Sequence, residues 1–147
     1  RMEKGYRHWG HDIGEEDTPY NGGVGFAVAL DKPHGFIGRE ALLKQKAEGP
    51  LKRRLVQVKL TGGSDMPMLY HNEPVYRNGS HAGLITSGAY GHRLGASLGL
   101  AYVNNPAGVT KEWISEGEWE VEIALKRYKI ALQFEPWYDP KGTRIKS

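Results

Sequence analysis

A chain of 147 residues, 39% apolar and 25% charged, is long enough for one domain with a real core and too hydrophobic for a disordered segment. The absence of cysteine excludes disulfides and thiolate metal sites, and no apolar run approaches the roughly 18 residues of a membrane-spanning helix. A net charge of +3 is a mild basic bias, suited to an anionic small molecule as well as to nucleic acid.

The chain opens on "RMEKGYRHWGHDI", Arg1 to Ile13, where aromatic, basic and acidic residues are densely mixed. Beyond it, Val24, Phe26, Val28 and Leu30 alternate with small residues, the pattern of a closely covered strand. "GREALLKQKAEGP" reads as a helix: Glu40 and Lys44 are spaced i,i+4, Leu43 and Ala47 share a face, and Gly49-Pro50 stops it. From Leu55 to Leu60, Val56, Val58 and Leu60 alternate with Gln57 and Lys59, predicting a strand with the last two outward. "EPVYRNGSHAGLITSG" carries Asn78-Gly79 between two strand-like runs, a strong hairpin signal, and Leu98 to Val103 reads as another strand. Trp119, Val121, Ile123 and Leu125, then Tyr128, Ile130, Leu132 and Phe134, continue the two-residue period, predicting a hairpin that turns near Lys126-Arg127. Twenty glycines, scattered between apolar stretches, suit turns and bulges of a β-rich fold. The expected class is α+β, mostly β. A mixed front section, residues 1–48, precedes a roughly six-stranded antiparallel barrel, residues 51–140, and a tail, 141–147.

Several motifs fail on inspection. His8, His11 and Asp12 invite a metal reading, but their spacing is not the helical i,i+4 zinc pattern, so hydrogen-bonded or solvated histidines are favoured and no metal is expected. "GASLG", Gly95 to Gly99, matches the nucleophile-elbow pattern, yet a strand follows and no histidine occurs after His92, so Ser97 is rejected as a nucleophile. "GGVGFA" is not a dinucleotide-binding loop. Asn78-Gly79-Ser80 is a glycosylation sequon that a tight turn explains. Basic residues at 52–54, 141, 144 and 146 raise nucleic-acid binding, but the late aromatics lie on the inward phase, where they cannot stack on bases.

Taken in order, "RMEKGYRHWGHDI", "TPYNGGVGFAV", "FIGREALL", "KRRLVQVKL", "PVYRNGSHAGLITSGAYG", "LGASLGLAYV" and "PWYDPKGTR" resemble the C-terminal part of the glycine-cleavage T-protein (aminomethyltransferase) family. Trp9 and the "YDP…R" ending make the chain most similar to the branch joined to flavin-dependent dimethylglycine and sarcosine dehydrogenases. The resemblance implies the end of a folate-binding domain followed by the family's C-terminal barrel. The implied activity is one-carbon transfer to tetrahydrofolate, giving 5,10-methylenetetrahydrofolate. In the parent protein, FAD in an upstream domain would oxidise an N-methyl amine. The family's catalytic aspartate would lie upstream of Arg1, so no catalytic residue is expected in this chain. The implied partners are upstream folate-binding and flavin domains, with no membrane and no nucleic acid. The implied compartment is bacterial cytoplasm or mitochondrial matrix.

By the same resemblance, Arg1 matches the arginine that opens the family's R-L-E motif and contacts folate, and a guanidinium fork suits a folate carboxylate. Tyr6 and Trp9 would face a flat ring. Glu3 or Asp12 would accept from the pterin edge, or simply hold Arg1. Phe26 is a further expected folate contact or a core residue, and Tyr138 and Arg144 would return near the site. Two positions depart from the pattern: Met2 replaces leucine, and Asn21 stands where a carboxylate is expected. The competing readings are a stand-alone aminomethyltransferase of glycine cleavage, a non-catalytic RNA-associated relative, and a purely structural barrel.

Overall fold

In the computed structural model, which describes residues 1–63 and 65–146, six antiparallel strands close into a barrel. They are β1 (Arg53–Leu60), β2 (Pro74–Arg77), β3 (Ser80–Gly91), β4 (Ala96–Asn104), β5 (Trp119–Ile123) and β6 (Lys126–Gln133). Around the barrel the order is β1-β4-β3-β2-β5-β6, and β6 pairs back onto β1. Closure leaves no unpaired sheet edge.

The two-residue alternation dictates which face of each strand is buried. Val56, Val58 and Leu60 of β1 and Ala101 and Val103 of β4 point into the barrel and are fully or almost fully buried. Ile114 and Trp119 fill one end. Ile114 comes from a short helix, α2 (Lys111–Ser115), which the sequence pattern did not reveal because five residues are too few to show a period. Its Thr110 cap accepts from the Trp113 amide (3.2 Å). The Trp119 indole donates to the Ile114 carbonyl (2.8 Å), so the tryptophan is buried without an orphaned N–H.

β1 and β4 are buried on both faces. Leu55 on one strand and Leu98, Leu100 and Tyr102 on the other form a second apolar cluster with Met2. The N-terminal residues thus cover the outside of the barrel. This corrects one expectation: Gln57 has the outward phase predicted for it but is only 1% exposed, because Gly5 lies on top of it. Strand phase fixes direction, and only tertiary packing decides whether water reaches that side.

Three further expectations need correction. Residues 24–30 are not a strand. Gly25–Ala27 form a single 3-10 turn, and Phe26 is 87% exposed, so it is no core residue. The path cannot stay extended, because Gly23 takes φ 69° and Gly25 lies beneath the Tyr20 ring. The late hairpin turns at Ala124–Leu125 rather than Lys126-Arg127, since Ile123 pairs with Lys126. Ala124 and Leu125 both have positive φ, the two-residue geometry that matches strand twist, and Leu125 points to solvent although it continues the apolar alternation. The front section contains one helix, α1 (Arg39–Ala47), and 3-10 turns, but among the described residues no strand beyond a single Trp9–Ile13 bridge. No residue of α1 is buried, and Glu40 pairs with its neighbour Arg39 (3.1 Å), not with Lys44.

The Asn78-Gly79 turn is as predicted, joining β2 to β3. The glycines of "GASLG" also acquire a physical reason. Gly99 pairs directly with Gly88 of β3, and Leu69 packs over the bare backbone they leave. The Ser97 hydroxyl, 1% exposed, accepts from the Leu69 amide (2.9 Å). The motif is a socket for Leu69.

Candidate functional site

The site is built where residues 1–13 dock onto β3. Met2–Lys4 form a 3-10 turn that Gly5 ends at φ 65°, and Met2 is driven into the second apolar cluster. That burial fixes Arg1, Glu3 and Lys4 around it. The following loop is wound tightly: the amides of His11, Asp12 and Ile13 all point at the His8 carbonyl.

Asp12 is completely buried. One carboxylate oxygen accepts from the His8 amide (2.8 Å) and from Arg1 Nη1 (3.1 Å). The other accepts from the Ser87 hydroxyl (2.7 Å) and the Thr86 hydroxyl. Four donors use all four acceptor sites of the carboxylate. Neighbours in a regular strand point to opposite faces, so Thr86 and Ser87 could not ordinarily reach one oxygen. They do so because β3 is bulged: Ile85 pairs with Ala101 and Ser87 with Leu100, leaving Thr86 as the extra residue. Thr86 also lies 3.2 Å from the Leu100 carbonyl, an alternative acceptor for its proton.

Arg1 is held by one nitrogen. Its Nη1 donates to Asp12, to the Tyr6 carbonyl (3.1 Å) and to Ser87 (3.4 Å). Among the described residues Nε and Nη2 make no hydrogen bond, and the side chain is 37% exposed. The outcome is an oriented guanidinium with a free edge. Tyr6 and Trp9 are 54% and 72% exposed, unusual for apolar rings in a packed segment.

Arg7 completes the docking. Its guanidinium donates to the carbonyls of Gly5, Gly22 and Gly23, tying the first loop to the second. Burial pulls its pKa below the ordinary arginine range, against the opposing pull of Asp12. Asn21 strengthens the second loop: its amide donates to the Arg53 carbonyl while its oxygen accepts from Thr18 (2.6 Å) and Gln45 (3.1 Å). A carboxylate at this position would lack the donor, which explains the departure in physical terms.

A second group forms around the chain end. Glu3 accepts from the Arg93 amide (2.7 Å) through its side chain and from the Tyr138 amide (3.1 Å) through its carbonyl. The Tyr138 ring lies near the guanidinium groups of Arg93 (5.3 Å) and Arg144 (5.7 Å). Lys4 pairs with Asp139 (3.0 Å). Burial alone would raise the Asp139 carboxyl, but hydrogen bonds from Lys4, Thr143 and the Arg144 amide outweigh it and hold the pKa at about 2. The Asp139 carboxylate is therefore ionised throughout the neutral range.

Of the residues singled out in the sequence, Arg1, Asp12 and the Tyr6 backbone converge, and Glu3, Tyr138 and Arg144 form the second group. Phe26 joins neither. It lines a cleft with Tyr20, Gln45, Lys46 and Arg54. Among the described residues no three His, Cys, Asp or Glu side chains are grouped as a metal ion would require. No helix among them is long and apolar enough to cross a membrane.

Comparison with known families decides the lineage. Residues 53–139 match the glycine cleavage T-protein C-terminal barrel domain. The chain belongs to this family. It is 42% identical over 99% of its length to 4-methylaminobutanoate oxidase (formaldehyde-forming) of Paenarthrobacter nicotinovorans, and covers 17% of that protein. It is 33% identical to mouse mitochondrial sarcosine dehydrogenase, covering 16%, and 35% identical to an aminomethyltransferase of Rubrobacter xylanophilus, covering 36%. These spans take in 99% and 97% of this chain, respectively. The chain thus spans about a sixth of the oxidase and dehydrogenase relatives and about a third of the aminomethyltransferase. The crystal structure of aminomethyltransferase T from Bartonella henselae shares the fold, with a TM-score of 0.75 and 24% identity over 95% of this chain and 37% of that one.

Within this T-protein barrel, sequence reasoning missed Thr86, Ser87 and Arg7. The adjacent hydroxyls in "ITSG" were visible, but only a bulge turns both toward one carboxylate. Arg7 bonds only to carbonyls, which no side-chain pattern encodes.

Proposed function

We propose that this chain is the C-terminal portion of a longer, flavin-linked N-methyl-amine oxidoreductase of the dimethylglycine and sarcosine type, and that it supplies part of its tetrahydrofolate site. On this reading residues 1–48 end the folate-binding domain and residues 51–140 are the barrel that braces it. The observation that carries it is Arg1: a guanidinium aimed by a buried carboxylate, with one edge free, in a segment that also exposes the rings of Tyr6 and Trp9. A guanidinium edge takes a carboxylate through two parallel hydrogen bonds, and tetrahydrofolate ends in carboxylates. Tyr6 and Trp9 offer faces for its flat rings. Asp12 is the positioning residue for Arg1, since its acceptor sites are already occupied. Glu3, Tyr138 and Arg144 stabilise the margin of the same surface. Tetrahydrofolate, when bound, supplies the nitrogen nucleophiles that take up the one-carbon unit; the residues of this chain bind and orient it. FAD belongs to an upstream domain.

Identity to the oxidase (42%) exceeds that to the aminomethyltransferase (35%), which favours an N-methyl amine over the glycine cleavage substrate. Mitochondrial and bacterial relatives alike fit a matrix or cytoplasmic enzyme. The test uses the full-length protein with an N-methyl amine. Formaldehyde release should fall as tetrahydrofolate is added, with methylenetetrahydrofolate appearing in its place. Formaldehyde release that ignores saturating tetrahydrofolate contradicts the folate reading. A full-length protein without flavin, active in glycine cleavage, returns the assignment to the aminomethyltransferase alternative.

A further inference from the structure

The fold draws together histidines that the sequence keeps far apart. His11 of the N-terminal loop, His71 of the loop between β1 and β2, and His81 of β3 line one cleft of about 420 Å³ outside the barrel, half of the six histidines in the chain. The rings of His11 and His71 meet edge to face at 6.3 Å. The three are not grouped as a metal ion would require. The loop that carries His71 is fastened to β3: the Asn72 amide donates to the Ile85 carbonyl (2.7 Å), and the Ile85 amide donates to the Glu73 carbonyl (2.9 Å). Asn72 takes φ 66°, a left-handed conformation that asparagine tolerates better than most residues.

These groups share uncommitted donors. Among the described residues the side chains of His11, His71, His81 and Asn72 make no hydrogen bond. Arg53 reaches the same cleft from β1. Its Nη1 donates to Asp17 and its guanidinium lies over the Tyr102 ring at 3.5 Å, so it is oriented before any ligand arrives. Its Nε and Nη2 have no acceptor among the described residues. No carboxylate lines the cleft. The carboxylates just behind it are spent, Asp12 on its four donors and Asp17 on Arg53 and the Gly14 amide (2.9 Å). An imidazole donates an N–H whether neutral or protonated, so the set faces an anion in either state. Arg1 does not line this cleft, so the inference stands independently of the folate reading.

We propose that this cleft binds a small phosphate monoester, its phosphate oxygens on His11, His71, His81, Asn72 and Arg53 and its organic part against Leu84. The donors arrive from four separate elements: the N-terminal loop, the 71–72 loop, β1 and β3. Such a set suits a tetrahedral oxyanion, whose oxygens point in different directions. A planar carboxylate is matched instead by a single guanidinium fork, and Arg53 has already given one nitrogen to Asp17. Leu84, 43% exposed, supplies apolar surface, and the volume, within the range of small-molecule sites, leaves room beyond the phosphate itself.

Phenyl phosphate titrated into this chain at one fixed pH and matched ionic strength, followed by NMR of the imidazole C–H signals, tests the proposal. The signals of His11, His71 and His81 should shift saturably with one dissociation constant. Those of His34 and His92, which lie outside the cleft, should stay in place. Benzoate, which lacks the tetrahedral group, and inorganic phosphate, which lacks the organic part, should each bind at least several-fold more weakly. His71→Ala and His81→Ala, both at exposed positions, should leave the fold intact and each weaken phenyl phosphate about three- to tenfold, the loss of one charge-assisted hydrogen bond. His34→Ala should bind as the parent does. No saturable shift, equal shifts at all six histidines, benzoate binding as tightly as phenyl phosphate, or undiminished binding in both cleft variants overturns it. Inorganic phosphate binding as tightly as phenyl phosphate overturns the ester and makes the ligand free phosphate.

Discussion

Asp12→Ala is expected to release the N-terminal segment while leaving the barrel folded. The carboxylate is wholly buried and gathers four donors from three parts of the chain. Alanine leaves the His8 amide and the Ser87 hydroxyl without their acceptor. Arg1, 37% exposed, can turn to water, and Thr86 can turn to the Leu100 carbonyl. The unmatched groups therefore carry the loss, about 2–4 kcal/mol. Native-state hydrogen exchange should show the amides of residues 2–13 opening about 30- to 1,000-fold more readily, the same free energy expressed as a ratio. Amides of β1, β3 and β4 facing the barrel interior should keep their protection. Asp12→Asn should cost much less. Its oxygen can face Arg1 and His8, whose N–H groups only donate, while its NH₂ faces Thr86 and Ser87, whose hydroxyls can rotate to accept. A uniform loss of protection across the barrel would mean that Asp12 supports the whole fold rather than the docked segment.

Gly88→Ala should be the most damaging single methyl group tested here. The added carbon would sit 2.1 Å from the Leu69 carbonyl oxygen and 2.3 Å from its carbonyl carbon. Backbone cannot yield as a side chain would, and Leu69 is anchored: fully buried, with its amide on Ser97. Relief requires Leu69 to leave its socket between Gly88 and Gly99, sacrificing its burial, about 1.5–3 kcal/mol, in addition to the strain. A loss of about 3 kcal/mol or more corresponds to a fall in Tm of roughly 10 °C for a chain of this size. Gly95→Ala is the control. It has φ 61° but open space around it, so it bears only the left-handed backbone cost of about 1–2 kcal/mol. Thermal unfolding of the two variants separates close approach from conformational freedom. Equal Tm values would refute the socket.

The barrel was legible because β1, β5 and β6 alternate cleanly, Leu98 to Val103 is a short apolar run, and Asn78-Gly79 marks a hairpin. What was lost depends on the third dimension. Gln57 has the correct phase but lies under Gly5. Leu125 continues an apolar alternation yet occupies a turn, since Ile123–Lys126 pairing, not composition, sets the bend. The segment 24–30 alternates like a strand, but Gly23 just before it turns the chain at φ 69° and Gly25 opens a 3-10 turn. The candidate site was legible only through Arg1 and the family resemblance. Its organisation around Asp12 rests on the Thr86 bulge, which shifts register without any local signature. The Lys4–Asp139 clamp joins residues 135 positions apart, beyond any spacing rule.

The central claim is that Arg1 is a carboxylate receptor held in place by Asp12, not merely half of an ion pair. Arg1→Lys in the full-length protein tests it most directly, because lysine keeps the charge beside Asp12 but has no planar fork. The dissociation constant for tetrahydrofolate, measured by calorimetry beside a thermal melt, should rise about tenfold, the loss of one charge-assisted contact. Tm should stay within about 2 °C, as befits a partly exposed pair that keeps its charge. An unchanged dissociation constant with a lowered Tm would contradict the account and leave Arg1 a structural residue of the docked segment.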